Sequence, residues 1–188
     1  MKVFKFGGAS VKDAAGVKNL SSIVHQQHGQ LIVVVSAMGK TTNLLETLCN
    51  AYFHQDPKTT AIMKELKNFH LDIVNTLFPL NDTIHKHLEE LFTSLENILA
   101  SESSLCYDYE YDRIICFGEL ISTTIISDYL KMKGIENQFI DIRKFLKTDQ
   151  NYRNANIDLE LSEQLCKDAF DFNTSSVFVT QGFIAGTR

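Results

Sequence analysis

The apolar residues of this chain follow two different periods along the sequence. Short runs of mostly β-branched or aromatic residues, bounded by glycine or polar residues, predict strands at residues 2–6, 31–35, 137–142 and 176–180. The run at 31–35 is apolar at every position, which is typical of a strand that is buried on both faces. We therefore expect it to be a central strand of a parallel sheet.

Between these runs, apolar residues recur every three or four positions, which is the period of a helix with one buried face. The pattern predicts helices over residues 11–24, from residue 44, over 114–129 and over 158–170. Ser10 is expected to cap the first of them, because a serine hydroxyl can accept a hydrogen bond from a free backbone N–H in the first turn.

A longer helical stretch, at about residues 57–101, is interrupted by Pro79 and by the Asn81-Asp82 pair. Each arm keeps its own apolar stripe, so the stretch predicts an antiparallel helical hairpin inserted in the fold. Its three histidines alternate with charged residues and are predicted to be solvated surface residues rather than ligands; they are His70, His85 and His87.

Strands that alternate with helices predict an α/β fold, with a mainly parallel sheet sandwiched by helices and with the helical hairpin as an insertion. No internal repeat or domain boundary is visible. Binding sites of such sheets gather beyond the carboxyl ends of the strands. The candidate chemistry is therefore expected in the loops that follow the strands.

Composition excludes several classes of partner. The chain has 18 basic and 23 acidic residues, a net charge of −5 and no basic stripe, so no nucleic-acid partner is expected. No apolar run approaches the roughly 20 residues that span a bilayer, and glycines interrupt the short apolar start. The 4 cysteines lack CxxC spacing, so we predict buried reduced thiols, no metal ligands and a cytoplasmic protein.

The first candidate site is the segment Lys5-Phe6-Gly7-Gly8, where a strand turns towards a helix. Two glycines let a ligand approach the backbone, a helix start offers free N–H groups, and the lysine adds a positive charge. These features together suggest a phosphate cradle. A tight turn with a surface lysine explains the same residues equally well.

The second candidate site is the loop of residues 36–43, which is rich in hydroxyl groups. Gly39-Lys40-Thr41 imitates the end of a P-loop, but Val34 stands where that pattern requires glycine, so a P-loop is rejected. The loop could bind a small polar substrate or could simply cap the next helix.

The third candidate is Glu119, which lies among apolar residues of a predicted helix. A carboxylate in that position is costly unless it has a partner. The partner could be the ammonium group of a substrate, or a cation of the protein itself, such as Lys5 or Arg143. A fourth segment, at residues 180–184, repeats the arrangement of a strand followed by a glycine turn.

Taken in order, these segments resemble the aspartokinase branch of the amino acid kinase family. The motifs are Lys-Phe-Gly-Gly-x-Ser-Val, Val-Val-Ser-Ala-x-x-x-x-Thr-Asn-Leu-Leu, Gly-Glu-x-x-Ser-Thr and Val-Thr-Gln-Gly-Phe-Ile, and residues 139–144 look like that branch's Asp-x-Arg segment. The resemblance runs from Met1 to about Ala185. Other branches share the Lys-x-Gly-Gly motif but do not usually show the later two motifs.

The resemblance implies transfer of the ATP γ-phosphoryl group to the β-carboxylate of L-aspartate, which gives 4-phospho-L-aspartate for lysine, threonine and methionine synthesis. ATP and Mg²⁺ carried by the nucleotide are the implied cofactors, and a homo-oligomer is the implied assembly of the full-length protein. Carried over by position, the implied roles are catalytic Lys5, nucleotide-binding Lys5, Phe6, Gly7 and Gly8, and substrate-binding Ser36, Thr42 and Glu119.

Two residues depart from the family pattern: Ala9 replaces a threonine, and Ala185 replaces a glycine. Family members also continue with a Gly-Gly-Ser-Asp segment and regulatory domains. The resemblance thus implies that residues 1–188 are the amino-terminal portion of the catalytic domain, without the nucleotide-base half and regulatory domains, and are inactive alone. Two alternatives stay open: a non-catalytic binding or regulatory chain with a truncated kinase fold, or an amino acid kinase for another carboxylate.

Overall fold

The computed structural model of the chain describes residues 1–80 and 82–188, so Asn81 and its predicted helix-breaking role lie outside the described residues. Four parallel strands form the main sheet, in the order β1-β2-β5-β3. A second parallel pair joins β4 to β6. The strands are β1 (Lys2–Phe6), β2 (Leu31–Val35), β3 (Gln138–Ile140), β4 (Lys147–Thr148), β5 (Val177–Gln181) and β6 (Gly186–Thr187).

Helices fill the connections, as the apolar periodicity predicts, and the α/β fold with a parallel sheet flanked by helices is confirmed. They are α1 (Ala14–His25), α2 (Thr41–Phe53), α3 (Thr59–Leu77), α4 (Thr83–Ala100), α5 (Tyr107–Ile115), α6 (Phe117–Met132) and α7 (Leu159–Ala169). The stretch expected to be one helix around residues 114–129 is divided into α5 and α6 at Cys116.

The predicted cap at Ser10 is wrong. Ser10 lies inside a short 3-10 turn, Gly8–Val11, and the cap of α1 is Asp13, whose carboxylate accepts a hydrogen bond from the Gly16 N–H at 2.8 Å. An added Cβ on Gly16 would lie 2.5 Å from the Ser10 carbonyl oxygen, so this glycine lets the turn pack against the start of α1. The helix therefore begins well after the Gly7-Gly8 turn.

One face of the sheet lies in the main hydrophobic core. Val33, Val35 and Val179 are fully or almost fully buried there, together with residues of α1, α2 and α6. The opposite face of β2 carries Ile32 and Val34, which are only half-buried, so the expectation of burial on both faces holds for one face alone.

The hairpin of α3 and α4 is antiparallel, since Lys67 pairs with Glu96 and Asn75 bonds to His85. It packs on α2 and α6. Its histidines differ from the prediction: His87 is exposed and His85 half-buried, but His70 is fully buried. Among the cysteines, Cys49 is buried, Cys116 and Cys166 are half-buried and Cys106 is exposed, which corrects the expectation of four buried thiols.

No helix in residues 1–80 and 82–188 is long and apolar enough to cross a membrane.

Candidate active site

Three strands end at one level of the sheet, because Phe6, Val35 and Gln181 are aligned in the register of β1, β2 and β5. Backbone hydrogen bonds continue one step beyond the strands. The Ser36 N–H donates to the Phe6 carbonyl at 3.1 Å, and the Gly182 N–H donates to the Val35 carbonyl at 3.0 Å. The first, second and fourth predicted segments therefore meet at the carboxyl edge of the sheet.

The two glycines after β1 have different surroundings. A Cβ on Gly8 would lie 2.5 Å from the Ala37 carbonyl oxygen, whereas a Cβ on Gly7 would have no neighbour within 4 Å. The Gly8 carbonyl also accepts a hydrogen bond from the Gly39 N–H at 3.0 Å. Gly8 is thus explained by close packing of two protein loops, while Gly7 leaves open space at the strand end.

The start of α6 is pressed against the loop that follows β2. A Cβ on Gly118 would lie 2.9 Å from the Ala37 Cβ, so only glycine permits this approach without displacement. The next residue, Glu119, thereby reaches the Ala37 backbone, and its Oε1 accepts a hydrogen bond from the Ala37 N–H at 3.3 Å.

The other carboxylate oxygen of Glu119 is buried without a partner. The side chain is only 3% exposed, and Oε2 has no hydrogen-bond donor in the described part of the chain. Burial raises the pKa of Glu119, although the hydrogen bond from Ala37 opposes that rise. A buried carboxylate oxygen with no donor marks a place where a donor from outside the chain would be strongly stabilised.

The proposed internal partners of Glu119 are not in contact with it. Arg143 forms a two-point ion pair with Asp141 instead, with nitrogen–oxygen distances of 2.7 and 2.9 Å. Lys5 is exposed and aligns in register with Val34, on the opposite sheet face from Val33 and Val35. Within residues 1–80 and 82–188, no ion pair includes Glu119.

The rest of the Gly-Glu-x-x-Ser-Thr motif ties α6 to the strand ends. The Ser122 hydroxyl donates to the Ser36 carbonyl at 2.9 Å. The Thr123 hydroxyl donates to the Glu119 carbonyl at 2.6 Å and accepts from the Gln181 amide at 2.9 Å. The sequence alone predicts no role for Ser122, Thr123 or Gln181. The signal for the first two was a pair of hydroxyls on an otherwise apolar helix, one turn after the buried carboxylate.

Gln181 extends this hydrogen-bond network to β3, the edge strand beside β5. Its side-chain oxygen accepts a hydrogen bond from the Ile142 N–H at 2.8 Å, just after β3. Ser36 and Thr42, the predicted substrate-binding hydroxyls, are both half-buried in the loop after β2 and at the start of α2. The structure thus brings the Gly7 turn, the loop of residues 36–43 and Glu119 to one edge.

Other features of the molecule lie elsewhere. A groove of about 790 Å³ runs between α3 and the ends of α2 and α4, and none of the predicted site residues lines it. In the part of the chain that the structure describes, no group of three or more His, Cys, Asp or Glu residues could hold a metal ion.

With its loops gathered at the carboxyl edge of a parallel sheet, the chain belongs to the amino acid kinase family, whose model matches residues 1–188. Its relatives include the bifunctional aspartokinase/homoserine dehydrogenase of Buchnera aphidicola, 28% identical over 100% of this chain and 24% of that protein. Lysine-sensitive aspartokinase 3 of Escherichia coli is 27% identical over 97% of this chain and 40% of that protein.

Solved structures of an aspartokinase also superpose on this chain. Escherichia coli aspartokinase III in complex with lysine and aspartate superposes with a TM-score of 0.88 at 25% identity, over 99% of this chain and 41% of that one. The same enzyme in complex with aspartate and ADP gives a TM-score of 0.87 at 25% identity, over 99% and 41%. The chain therefore spans less than half the length of these relatives.

Proposed function

We propose that the chain carries the acceptor and phosphate side of an aspartate kinase active site. The reaction is transfer of the γ-phosphoryl group of ATP to the β-carboxylate of L-aspartate, with 4-phospho-L-aspartate and ADP as products. Support comes from the family, from the aspartokinase relatives and from the loops gathered at the carboxyl edge of the sheet.

The observation that carries the proposal is the buried, unpartnered Oε2 of Glu119. An α-ammonium group supplies both the positive charge and the N–H donor that this oxygen lacks. An amino acid acceptor fits this requirement, whereas a dicarboxylate without an amino group does not. We assign the ammonium contact to Glu119 and the neighbouring hydroxyl contacts to Ser36 and Thr42.

On the phosphate side, the proposal assigns the ATP phosphates to Lys5 and to the turn of Phe6, Gly7 and Gly8. The open space at Gly7 supports this assignment, while Gly8 has a packing role as well. Lys5 is exposed and free to move its ammonium group towards a phosphate. When bound with the nucleotide, Mg²⁺ would supply further neutralisation of the phosphate charge.

The chemistry needs little from the protein besides position and charge. The β-carboxylate of aspartate is ionised at neutral pH and attacks as it is, so no general base is required. Both reactants are anions, and their repulsion is the main obstacle. Lys5 lowers that obstacle by attracting the transferring group.

L-Aspartate binding by purified residues 1–188, followed by calorimetry and by NMR, tests this assignment. We expect saturable binding of L-aspartate that is weaker for D-aspartate and L-glutamate and absent for N-acetyl-L-aspartate, whose nitrogen carries no charge. Equal binding of the acetylated compound would contradict the ammonium site. Preference for L-glutamate would favour the second candidate, an amino acid kinase with another carboxylate acceptor.

The remaining parts of the proposal concern the whole protein. We propose that it acts in lysine, threonine and methionine synthesis as a cytoplasmic homo-oligomer, and that residues 1–188 are an amino-terminal catalytic portion with little kinase activity alone. Trapping of aspartyl phosphate with hydroxylamine tests the last point. Aspartyl hydroxamate formed by this polypeptide at a rate typical of kinases, about 1–100 per second, would contradict it.

A further inference from the structure

His70 is a buried histidine that the proposed reaction does not use. It lies on α3 of the helical hairpin, is fully buried, and is in contact with the loop that follows β2. Its Nε2 lies 3.3 Å from the Thr41 Oγ1, and its Nδ1 lies 2.8 Å from the Leu66 carbonyl oxygen. Thr41 is the first residue of α2 and directly precedes Thr42, which we assign to the acceptor.

The direction of both hydrogen bonds follows from the chemistry of the partners. A carbonyl oxygen only accepts, so the proton of the ring must be on Nδ1, which donates to Leu66. Burial lowers the pKa of His70 to about 4, so the ring is neutral at pH 7 and Nε2 carries no proton. The Thr41 hydroxyl is therefore the donor, and Nε2 accepts.

Thr41 also lies beside the start of α6. Its Cγ2 would lie 3.5 Å from a Cβ on Gly118, the residue before Glu119. Thr41 is itself only 2% exposed. One side of this threonine thus faces the hairpin and the other faces the turn that carries the buried carboxylate.

The hairpin meets the same loop a second time. The Phe69 Cζ would lie 3.5 Å from a Cβ on Gly39, so the Phe69 ring lies beside the turn at Gly39. Phe69 and His70 pack edge to face, with ring centroids 4.9 Å apart. The ring centroids of His70 and Phe92, on α4, are 6.3 Å apart. Neighbouring residues of α3 therefore hold both ends of the Gly39–Thr41 turn.

We propose that His70 is a positioning residue for the acceptor-binding loop: through the hydrogen bond from Thr41, the helical hairpin fixes the loop of residues 36–43 against Gly118 and Glu119. The expected effect on L-aspartate binding rests on the proposed function, because the loop carries Ser36 and Thr42. This positioning role explains what the hairpin does for the site. His70 touches neither substrate nor nucleotide and acts through Thr41.

Two substitutions of His70 separate hydrogen bonding from packing. His70→Gln keeps an acceptor at the place of Nε2, whereas His70→Leu keeps a similar volume without one. We expect His70→Leu to raise amide hydrogen exchange at Ala37 and Gly39, whose N–H groups are hydrogen-bonded to Glu119 and Gly8, and to weaken L-aspartate binding by about threefold to tenfold, the worth of one net hydrogen bond. His70→Gln is expected to restore both towards the unsubstituted values.

His87→Leu is the matched control, because His87 is an exposed histidine of the same hairpin that pairs with Asp128 on α6. It should change neither readout. Thr41→Val breaks the same hydrogen bond from its other partner, because valine has nearly the shape of threonine but no hydroxyl donor. We expect it to raise exchange at Ala37 and Gly39 as His70→Leu does, which keeps the test decisive even where His70→Leu fails to fold.

Unchanged exchange at Ala37 and Gly39 in both His70→Leu and Thr41→Val would overturn the inference. Equal damage from His70→Gln and His70→Leu would also overturn it, because volume rather than the acceptor would then matter. Failure of the unsubstituted chain to bind L-aspartate would count against the proposed function alone. The exchange comparison would in that case still decide for or against His70.

Discussion

The Glu119 carboxylate accepts one hydrogen bond, from the Ala37 backbone N–H at 3.3 Å, and its second oxygen is buried without a donor. The contact joins α6 to the end of β2 and depends on Gly118, where a side chain would collide with Ala37. The unpartnered oxygen is a cost to the folded chain that a ligand can offset.

The two buried glutamates, Glu119 and Glu110, are expected to contribute differently to the free energy of unfolding. The Oε1 of Glu110 accepts a hydrogen bond from the Ser104 N–H at 2.7 Å, and its Oε2, which among the described residues also makes no hydrogen bond, lies 3.2 Å from an Arg113 nitrogen in an ion pair that Glu119 lacks. We expect Glu110→Gln to lower the free energy of unfolding by about 1–3 kcal/mol, because a charge-assisted interaction is lost. Glu119→Gln should leave it unchanged or raise it, since no ion pair is broken. Urea unfolding of both variants measures these free energies, and a larger decrease for Glu119→Gln than for Glu110→Gln would show that Glu119 has a partner in the folded chain.

Aspartate binding should depend on pH through Glu119. Burial raises the pKa of this carboxyl group in the free chain, and a bound ammonium group would favour its ionised form. Binding therefore releases a proton wherever the free carboxyl is still protonated. We expect the affinity for L-aspartate to rise with pH through the raised pKa and then level off. Calorimetry in buffers of different ionisation enthalpy detects the proton, and Glu119→Gln should abolish the release.

The buried His70 should make the fold sensitive to acid. Its pKa is lowered from 6.5 to about 4 by burial, so between these values the unfolded chain binds a proton that the folded chain does not. Keeping His70 neutral therefore contributes about 3 kcal/mol to the free energy of unfolding above pH 6.5. This contribution is lost as the pH falls from 6.5 to 4. We expect His70→Gln to remove this part of the pH dependence in urea unfolding between pH 7 and pH 4. An identical dependence in the variant would show that His70 is not held neutral.

The two glycines after β1 should respond differently to alanine. Gly8→Ala places a Cβ 2.5 Å from the Ala37 carbonyl oxygen, so we expect a loss of about 1–3 kcal/mol in unfolding free energy. Gly7→Ala meets open space at a backbone φ of −77°, and its effect should stay within about 0.5 kcal/mol. Thermal unfolding of the two variants compares them directly, and equal losses would contradict the packing role of Gly8.

Much of this fold follows from local pattern. The strand at residues 31–35 was predictable because it is apolar at every position, and the two arms of the hairpin were predictable because each apolar stripe leaves one choice of buried face. The site was partly predictable as well, since Glu119 is conspicuous among apolar neighbours. The two-residue strands β4 and β6 were missed, because their pairing depends on contacts distant in sequence.

His70 shows why the remainder was missed. Its charged neighbours suggested a surface position, yet it stands one helical turn after the buried Leu66, on the stripe that continues to Ile73 and Leu77. The helical period therefore places His70 on the buried face of α3, although histidine between charged residues suggests an exposed position. The cap of α1 is a different case, because Asp13 accepts the hydrogen bond from the first turn, while Ser10 lies in the 3-10 turn against which Gly16 packs.

The ammonium contact of Glu119 is tested most directly by comparing L-aspartate with succinate, which has the same carboxylates but no amino group. Calorimetry of residues 1–188 should show L-aspartate binding about 10-fold or more tighter than succinate, the scale of one charge-assisted hydrogen bond in a buried site. In Glu119→Gln that preference should disappear. Equal affinities in the unsubstituted chain, or a preference that survives Glu119→Gln, would contradict the proposed site.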